Sequence, residues 1–290
     1  MINLKQVSKS FGENVVLKDI SLDIGNGEIF GLIGKNGVGK TTLLSIIAGL
    51  TDVTNGQCCI NGKIISRKTP YEKIGYLPDV PNFFDFMTAG EFIDFLLQKV
   101  DGFKEKRDKL LQLAGIDKKT IIKTMSRGTR QRLGLAATLV NNPDVILLDE
   151  PSSALDPLGR YEMSETLLKL KKQGKTIILS THILTDLERI CDKVGFLHNG
   201  VIVKTIYPYQ TCNTTKIRIA FKNPINTSIF NIPSLAVLVE NDRNIILSGD
   251  IQEVAVQNKI LKKLISTENP IISINTLGVD LNDVFMEVCR

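Results

Sequence analysis

The sequence predicts an α/β fold: a core of buried strands and helices with an antiparallel β subdomain and an inserted helical subdomain, followed by a small C-terminal α+β domain. Three observations predict it. The run Gly27–Ile33 reads as a buried strand that enters a glycine-rich turn, and Thr42–Gly49 as the apolar helix that leaves it. The middle of the chain changes to helical periodicity and then, from Asn141 to His198, returns to strand and helix in alternation. Beyond about residue 212 a second set of strand patterns surrounds one amphipathic stretch.

Each element has its own signal. Short apolar runs at Ile2-Asn3-Leu4, Val15-Val16-Leu17 and Ile20–Ile24 are separated by turn signals at Gly12-Glu13-Asn14 and Gly25-Asn26-Gly27, which predicts antiparallel strands ahead of the glycine-rich turn. After the first helix come Gly56–Ile60, an Asn61-Gly62 turn, a further strand, and Ile74–Leu77. Thr88-Ala89-Gly90-Glu91 is a capping box leading into Phe92–Leu97, and Lys104–Ala114 continues the helical spacing up to Gly115. Val145–Leu148 and Thr176–Leu179 read as buried parallel strands, with helices over 158–173 and 183–191. In the last part, 216–221, 235–240, 244–248 and 271–277 are expected strands and 252–265 an amphipathic helix.

Composition narrows the function classes. At 290 residues and 43% hydrophobic, the chain is long enough for one large domain or two ordinary ones. No apolar run approaches the ~18 residues of a membrane span. The N-terminal Met1–Gln6 has no charged-then-apolar signal layout, so the expected location is the cytoplasm. Cys58, Cys59, Cys191, Cys212 and Cys289 are odd in number and show no CxxC spacing, which suits a reducing compartment better than a disulfide or zinc framework. The net charge is +5, and Lys/Arg balance Asp/Glu at 8 against 8 from Thr215 onward. That mild excess in the first 214 residues is explained by a nucleotide-phosphate site and an ordinary solvated surface as easily as by a basic patch for nucleic acid.

The chemistry begins at Gly34-Lys35-Asn36-Gly37-Val38-Gly39-Lys40-Thr41-Thr42, a complete phosphate-binding loop in the strand, loop, helix context the motif requires. Its glycines let backbone N–H groups curl round phosphates, and the helix N-terminus adds free N–H groups and the positive end of its dipole. Asn36, Gly37, Gly39 and Thr42 belong to this cradle, Lys40 is expected at the β- and γ-phosphates, and the Thr41 hydroxyl on Mg²⁺. The ligand read from the loop is a nucleoside triphosphate, and the loop alone fits GTPases, kinases, helicases and transport ATPases.

Residues 125–156 discriminate among these. Val145–Leu148 delivers two consecutive carboxylates at its C-terminal end, Asp149 as the Mg²⁺ partner and Glu150 where a general base polarises water. Met125-Ser126-Arg127-Gly128-Thr129 opens a helix running through Ala137, which sets Ser126 and the Gly128 backbone at a positive helix N-terminus, a second anion site.

Together these residues resemble the nucleotide-binding subunit of ABC transporters, over about residues 2 to 210. The resemblance implies a P-loop NTPase core that binds ATP and Mg²⁺. It matches Met125–Thr129 to the family's five-residue signature, Ser153-Ala154-Leu155-Asp156 to the loop after the catalytic strand, His182 to the switch histidine, and Phe11 to the aromatic that stacks on adenine. Asp79 stands where the family usually has Gln or Glu at the metal and the lytic water, and Arg127 replaces a signature glycine. Both departures bear on turnover, since Asp79 is shorter and acceptor-only and Arg127 is bulky.

What the resemblance implies is a homodimer, or a heterodimer with a close paralogue, in which two cassettes sandwich ATP head to tail. Lys40 of one chain and Ser126 and Gly128 of the other share each site, and Asp156 links the two sites. Separate transmembrane permease subunits would receive the motion through the helical subdomain, about 80–140, and the segment from Asp79 to Phe86, with the chain peripheral on the inner face of the cell membrane. The expected domains are 1–212 for nucleotide binding and 213–290 as an accessory domain. The latter resembles the C-terminal extension of bacterial drug-, antibiotic-peptide- or ion-exporting ATPases, which implies export. Two alternatives stay open: a soluble ABC ATPase acting on ribosomes or nucleic acid, and an ATP-gated regulatory subunit.

Overall fold

A computed structural model describes residues 1–97, 102–208, 215–230, 232, 235–249, 251, 254–277 and 281–288. The expected boundary at 212–213 lies outside the described residues, as do Cys212 and Cys289 and the start of the expected helix at 252–253. The chain forms two compact units, Met1–Thr205 and Ile206–Val288.

In the first unit, β1 (Ile2–Phe11), β2 (Asn14–Ile24), β4 (Asn55–Ile60) and β5 (Lys63–Ile64) form an antiparallel sheet in the order β2-β1-β4-β5. The two apolar runs at 15–17 and 20–24 are one strand. Asp19 takes a left-handed φ of 50° between them, and the pairing of β1 with β2 shifts register nearby. A bulge of this kind inserts one residue and reverses the alternation. Leu17, Ile20, Leu22 and Ile24 therefore all reach the core.

The second sheet contains β3 (Ile29–Ile33), β6 (Ile74–Leu77), β7 (Val145–Asp149), β8 (Thr176–Thr181), β9 (Lys193–His198) and β10 (Val201–Ile206), in the order β10-β9-β3-β8-β7-β6. The pairs β3 with β8, β3 with β9, β7 with β8 and β6 with β7 are parallel. Strands β3, β7 and β8 are buried along their whole length, the pattern of a sheet covered on both faces. Phe30, Leu32, Leu147 and Ile178 face a core shared with helix α1 (Lys40–Ile47) and the antiparallel sheet. On the other side a Cβ on Gly31 would press on Leu187, in the middle of α6 (Leu184–Ile190), and on Cys191 just beyond its end.

Between β6 and β7 the chain is helical: α2 (Ala89–Leu97), α3 (Phe103–Ala114), a 3-10 turn at Ile122–Thr124, and α4 (Arg127–Thr138). The capping box closes both ways. Glu91 N–H donates to Thr88 Oγ1 at 3.2 Å, and Thr88 N–H donates to Glu91 Oε2 at 2.8 Å. Helix α5 (Pro157–Lys172) lies between β7 and β8 in sequence.

The second unit is a four-stranded antiparallel sheet of β11 (Thr215–Phe221), β12 (Leu235–Val239), β13 (Asn244–Gly249) and β14 (Ile271–Leu277), in the order β12-β13-β11-β14. Helix α7 (Val254–Ser266) contributes Ile260 and Leu264 to a separate core with Ile219, Phe221, Phe230, Ile245 and Leu247. A last helix, α8 (Leu281–Val288), completes the described residues. Among them no helix is long and apolar enough to cross a membrane.

Candidate functional site

Three parallel strand ends build the first cluster. β3 runs into the loop 34–39, whose Gly37 and Gly39 have φ of 80° and 110°, conformations that exclude ordinary side chains. A Cβ on Gly39 would also lie 2.7 Å from Leu17 Cδ2, so the loop seats tightly on the β1–β2 hairpin. Lys40 opens α1 and is 6% exposed; its Nζ donates to Gly34 O at 2.7 Å and lies 3.5 Å from Glu150 Oε1. The neighbouring Thr41 hydroxyl donates to Asp149 Oδ2 at 2.5 Å.

Asp149 ends β7, where it pairs with Ser180 of β8, and the Ser180 hydroxyl donates to Asp149 Oδ1. Glu150 follows in a left-handed backbone conformation, φ 50°, fixed by its N–H on Ser180 O at 3.0 Å. His182 Nδ1 is 2.8 Å from Glu150 Oε2, whereas Glu150 Oε1 is buried with no hydrogen-bond partner and faces the Lys40 ammonium. Burial first, and then the Asp149 charge, hold the Tyr76 phenol above its usual pKa, against a lowering hydrogen bond with Ser45.

A second cluster surrounds the start of α4. Ser126 caps the helix by accepting from Thr129 N–H at 3.1 Å. A Cβ on Gly128 would lie 3.0 Å from Ala154 O, so the helix start sits against the loop after β7. Asp79 belongs here: its Oδ1 lies 3.4 Å from Arg127 Nη2 and 3.5 Å from Ser153 Oγ. Asp156 caps α5 by accepting from Gly159 N–H at 2.9 Å. The two clusters are joined by the buried Gln131 of α4, whose Nε2 donates to Glu150 O at 3.5 Å.

Lys40, Thr41, Asp149, Glu150 and His182 are thus brought together, and Ser126, Gly128 and Asp79 form the adjoining group. Phe11 stands apart from both. It is exposed at the β1–β2 hairpin, paired with Asn14, with Lys9 Nζ 4.8 Å from its ring centroid. A cavity of about 490 Å³ opens beside the loop, lined by Val15, Val16, Asn36, Gly37 and the 198–200 turn. Thr42 is half-buried on α1. The sequence reading did not single out Ser180, Gln131 or Tyr76. Ser180 carried a signal, because it lies in the same Leu179–His182 run as the histidine; Gln131 and Tyr76 are seen only when strands and helix are assembled.

A glycine loop cradling a lysine and a threonine against an Asp-Glu strand end defines a P-loop α/β cassette. Comparison with known proteins narrows the class. A family profile described as ABC transporter matches residues 17–153. A lantibiotic transport ATP-binding protein of Streptococcus pyogenes is 34% identical over 206 residues, which cover 70% of this chain and 89% of the relative. An uncharacterised ABC transporter ATP-binding protein of Synechocystis is 42% identical over 195 residues; the match covers 64% of this chain but only 55% of that relative's length. Among solved structures, a dimeric ATP-binding cassette in a post-hydrolysis state with ADP and Pi superposes with a TM-score of 0.66 at 28% identity, covering 72% of this chain and 99% of the other. The chain belongs to the family of ABC transporter ATP-binding proteins.

Proposed function

We propose that the chain is the ATP-binding and ATP-hydrolysing subunit of an ABC transporter and powers export of a small molecule, peptide or ion through separate membrane subunits. The observation that carries this reading is the cluster in which Lys40, Glu150 and His182 meet beside the Thr41–Asp149 pair. In this reading Met1 to about 212 is the nucleotide-binding domain, with residues 80–140 as its helical subdomain, and 213–290 is an accessory domain.

Lys40 exchanges its Glu150 contact for the β- and γ-phosphates, and the loop N–H groups hold the remaining phosphate oxygens. That exchange frees the Glu150 carboxylate, which takes a proton from the attacking water as general base. His182 positions Glu150 and contacts the γ-phosphate. Phe11 supplies a stacking face for adenine, with Asn36 and Thr42 completing the loop.

The Thr41 hydroxyl and the Asp149 carboxylate, 2.5 Å apart, are the oxygen donors a hard divalent cation requires. Among the described residues no group of three or more His, Cys, Asp or Glu could hold a metal ion, so Mg²⁺ fits here only as a companion of the nucleotide phosphates. Mg²⁺ bound there supplies charge neutralisation at the β- and γ-phosphate oxygens. Asp79 is the remaining carboxylate we assign to the metal and the lytic water, through a change of partner from Arg127.

Each ATP is then shared with a facing chain, a second copy or a close paralogue, which contributes Ser126, Gly128 and Asp156. That a similar solved cassette is dimeric supports the pairing of two chains. Permease subunits would dock near the exposed Phe84, Phe86 and Phe95, with the chain on the cytoplasmic face of the membrane. Export is the proposed direction, on the resemblance of the C-terminal part to exporter extensions; the Streptococcus relative is named for lantibiotic transport. Affinity capture of tagged protein from detergent-solubilised native membranes, with mass spectrometry of the co-purifying chains, tests the proposal. A polytopic membrane protein in near-equal amount is expected, and ribosomal partners alone would overturn it.

A further inference from the structure

Three arginines open helix α4, and each meets a carboxylate. Arg127 Nη2 lies 3.4 Å from Asp79 Oδ1, Arg130 Nη2 2.6 Å from Asp85 Oδ1, and Arg132 Nη2 2.8 Å from Glu162 Oε2. The first two aspartates belong to one segment, the loop between β6 and α2. Arg127 and Arg130 are three positions apart and share a helix face. The result is a two-rung ion-pair ladder from the start of α4 to that loop.

The rungs are unequal. The Arg127–Asp79 rung is long and exposed at both ends, 64% and 46%, and Asp79 shares its oxygen with Ser153. The Arg130–Asp85 rung is short, its arginine is 27% exposed though its aspartate is 56% exposed, and the backbone bond from Lys123 N–H to Asp85 O at 3.2 Å ties the same point of the loop. Between the two aspartates the loop exposes Val80 and Phe84, and just past Asp85 it exposes Phe86; Phe84 packs on Phe86 and on Phe95 of α2 with ring centroids 5.8 and 5.9 Å apart.

We propose that this ladder reports the phosphate occupancy at the start of α4 to the aromatic surface of the 80–86 loop. It does so because Arg127 exchanges Asp79 for the triphosphate held by a facing chain. The inference rests on the head-to-tail reading above and adds to it a role for the two residues by which this chain departs from the family pattern. An exposed single-oxygen ion pair changes an equilibrium by about fivefold or less, whereas a multiply charged phosphate offers a guanidinium paired, charge-assisted bonds. The triphosphate therefore wins Arg127. The short rung persists, so the loop pivots at Asp85 and stays attached to α4.

The chain contains no tryptophan, so Phe86→Trp places a single fluorescent reporter on the loop. In a full-length Glu150→Gln, Phe86→Trp chain, Mg-ATP is expected to produce a dimer in sedimentation and a change in tryptophan emission and acrylamide quenching. With Arg127→Gln added, the emission change is expected to be lost and the ATP concentration needed for dimerisation to rise about tenfold or more. Arg130→Gln should also remove the emission change, and the swap Arg130→Asp with Asp85→Arg should restore it. Dimerisation with an emission change that survives both arginine substitutions overturns the ladder alone. If Mg-ATP binds, measured with a fluorescent ATP analogue, and no dimer forms even in the starting chain, the head-to-tail reading itself fails.

Discussion

Glu150 is held in a backbone region that non-glycine residues rarely occupy, with one carboxylate oxygen buried and lacking a hydrogen-bond partner. Its surroundings account for the placement: the N–H is fixed by Ser180, the carbonyl by Gln131, and the carboxylate lies between Lys40 and His182. Removing the negative charge while keeping the shape separates chemistry from binding. Glu150→Gln is expected to lower steady-state ATP turnover by about 100-fold or more, the usual contribution of a general base, while Mg-ATP binding by titration calorimetry persists. Undiminished hydrolysis would remove Glu150 from the base role. At this scale the sequence was informative wherever a residue's neighbours in the chain define its task, as for Lys40 at a helix start or Ser126 at a cap. It was silent about Gln131, because nothing near that glutamine shows that it reaches the backbone of Glu150.

Helix α2 starts where it does because Thr88 and Glu91 satisfy each other's backbone N–H groups. Replacing Thr88 by Ala leaves the Glu91 N–H without its partner and is expected to cost about 1 kcal/mol in urea denaturation. A midpoint unchanged within error would show that the isolated bridge to Ile121 and the packing of Phe92 and Ile93 suffice to start the helix. Elements with local punctuation of this kind were legible in the sequence. The bulge at Asp19 was not, because a reversed alternation looks the same as two short strands. Helix α8 also escaped, since the sequence reading placed no element after residue 277.

The two units enclose separate cores, and Phe230 is fully buried in the second, 6.3 Å from Phe221 between ring centroids. Phe230→Ala is expected to destabilise that unit by about 3–5 kcal/mol through lost burial and the cavity left behind. In calorimetric scans, ATP should raise the transition of the first unit in wild type and variant alike, because a ligand stabilises the fold that binds it. Loss of the ATP-dependent shift in the variant would show that nucleotide binding depends on the second core.

The parts are written locally in the chain: a phosphate loop between a strand and a helix, a capped basic helix, and a strand ending in two carboxylates. Each is encoded by residues within a few positions of one another, where dihedral preference, capping and apolar period act directly. Their meeting comes from the packing of distant segments. Thr41 and Asp149 are 108 positions apart and touch because β7 and β8, and β8 and β3, pair in parallel with their C-terminal ends level. Strand order and register are set by burial of whole faces against distant elements, a cooperative free energy that no short window of sequence contains. The ladder from α4 to Asp79 and Asp85 is of the same kind, since its charges come within reach of one another only after the helices have packed.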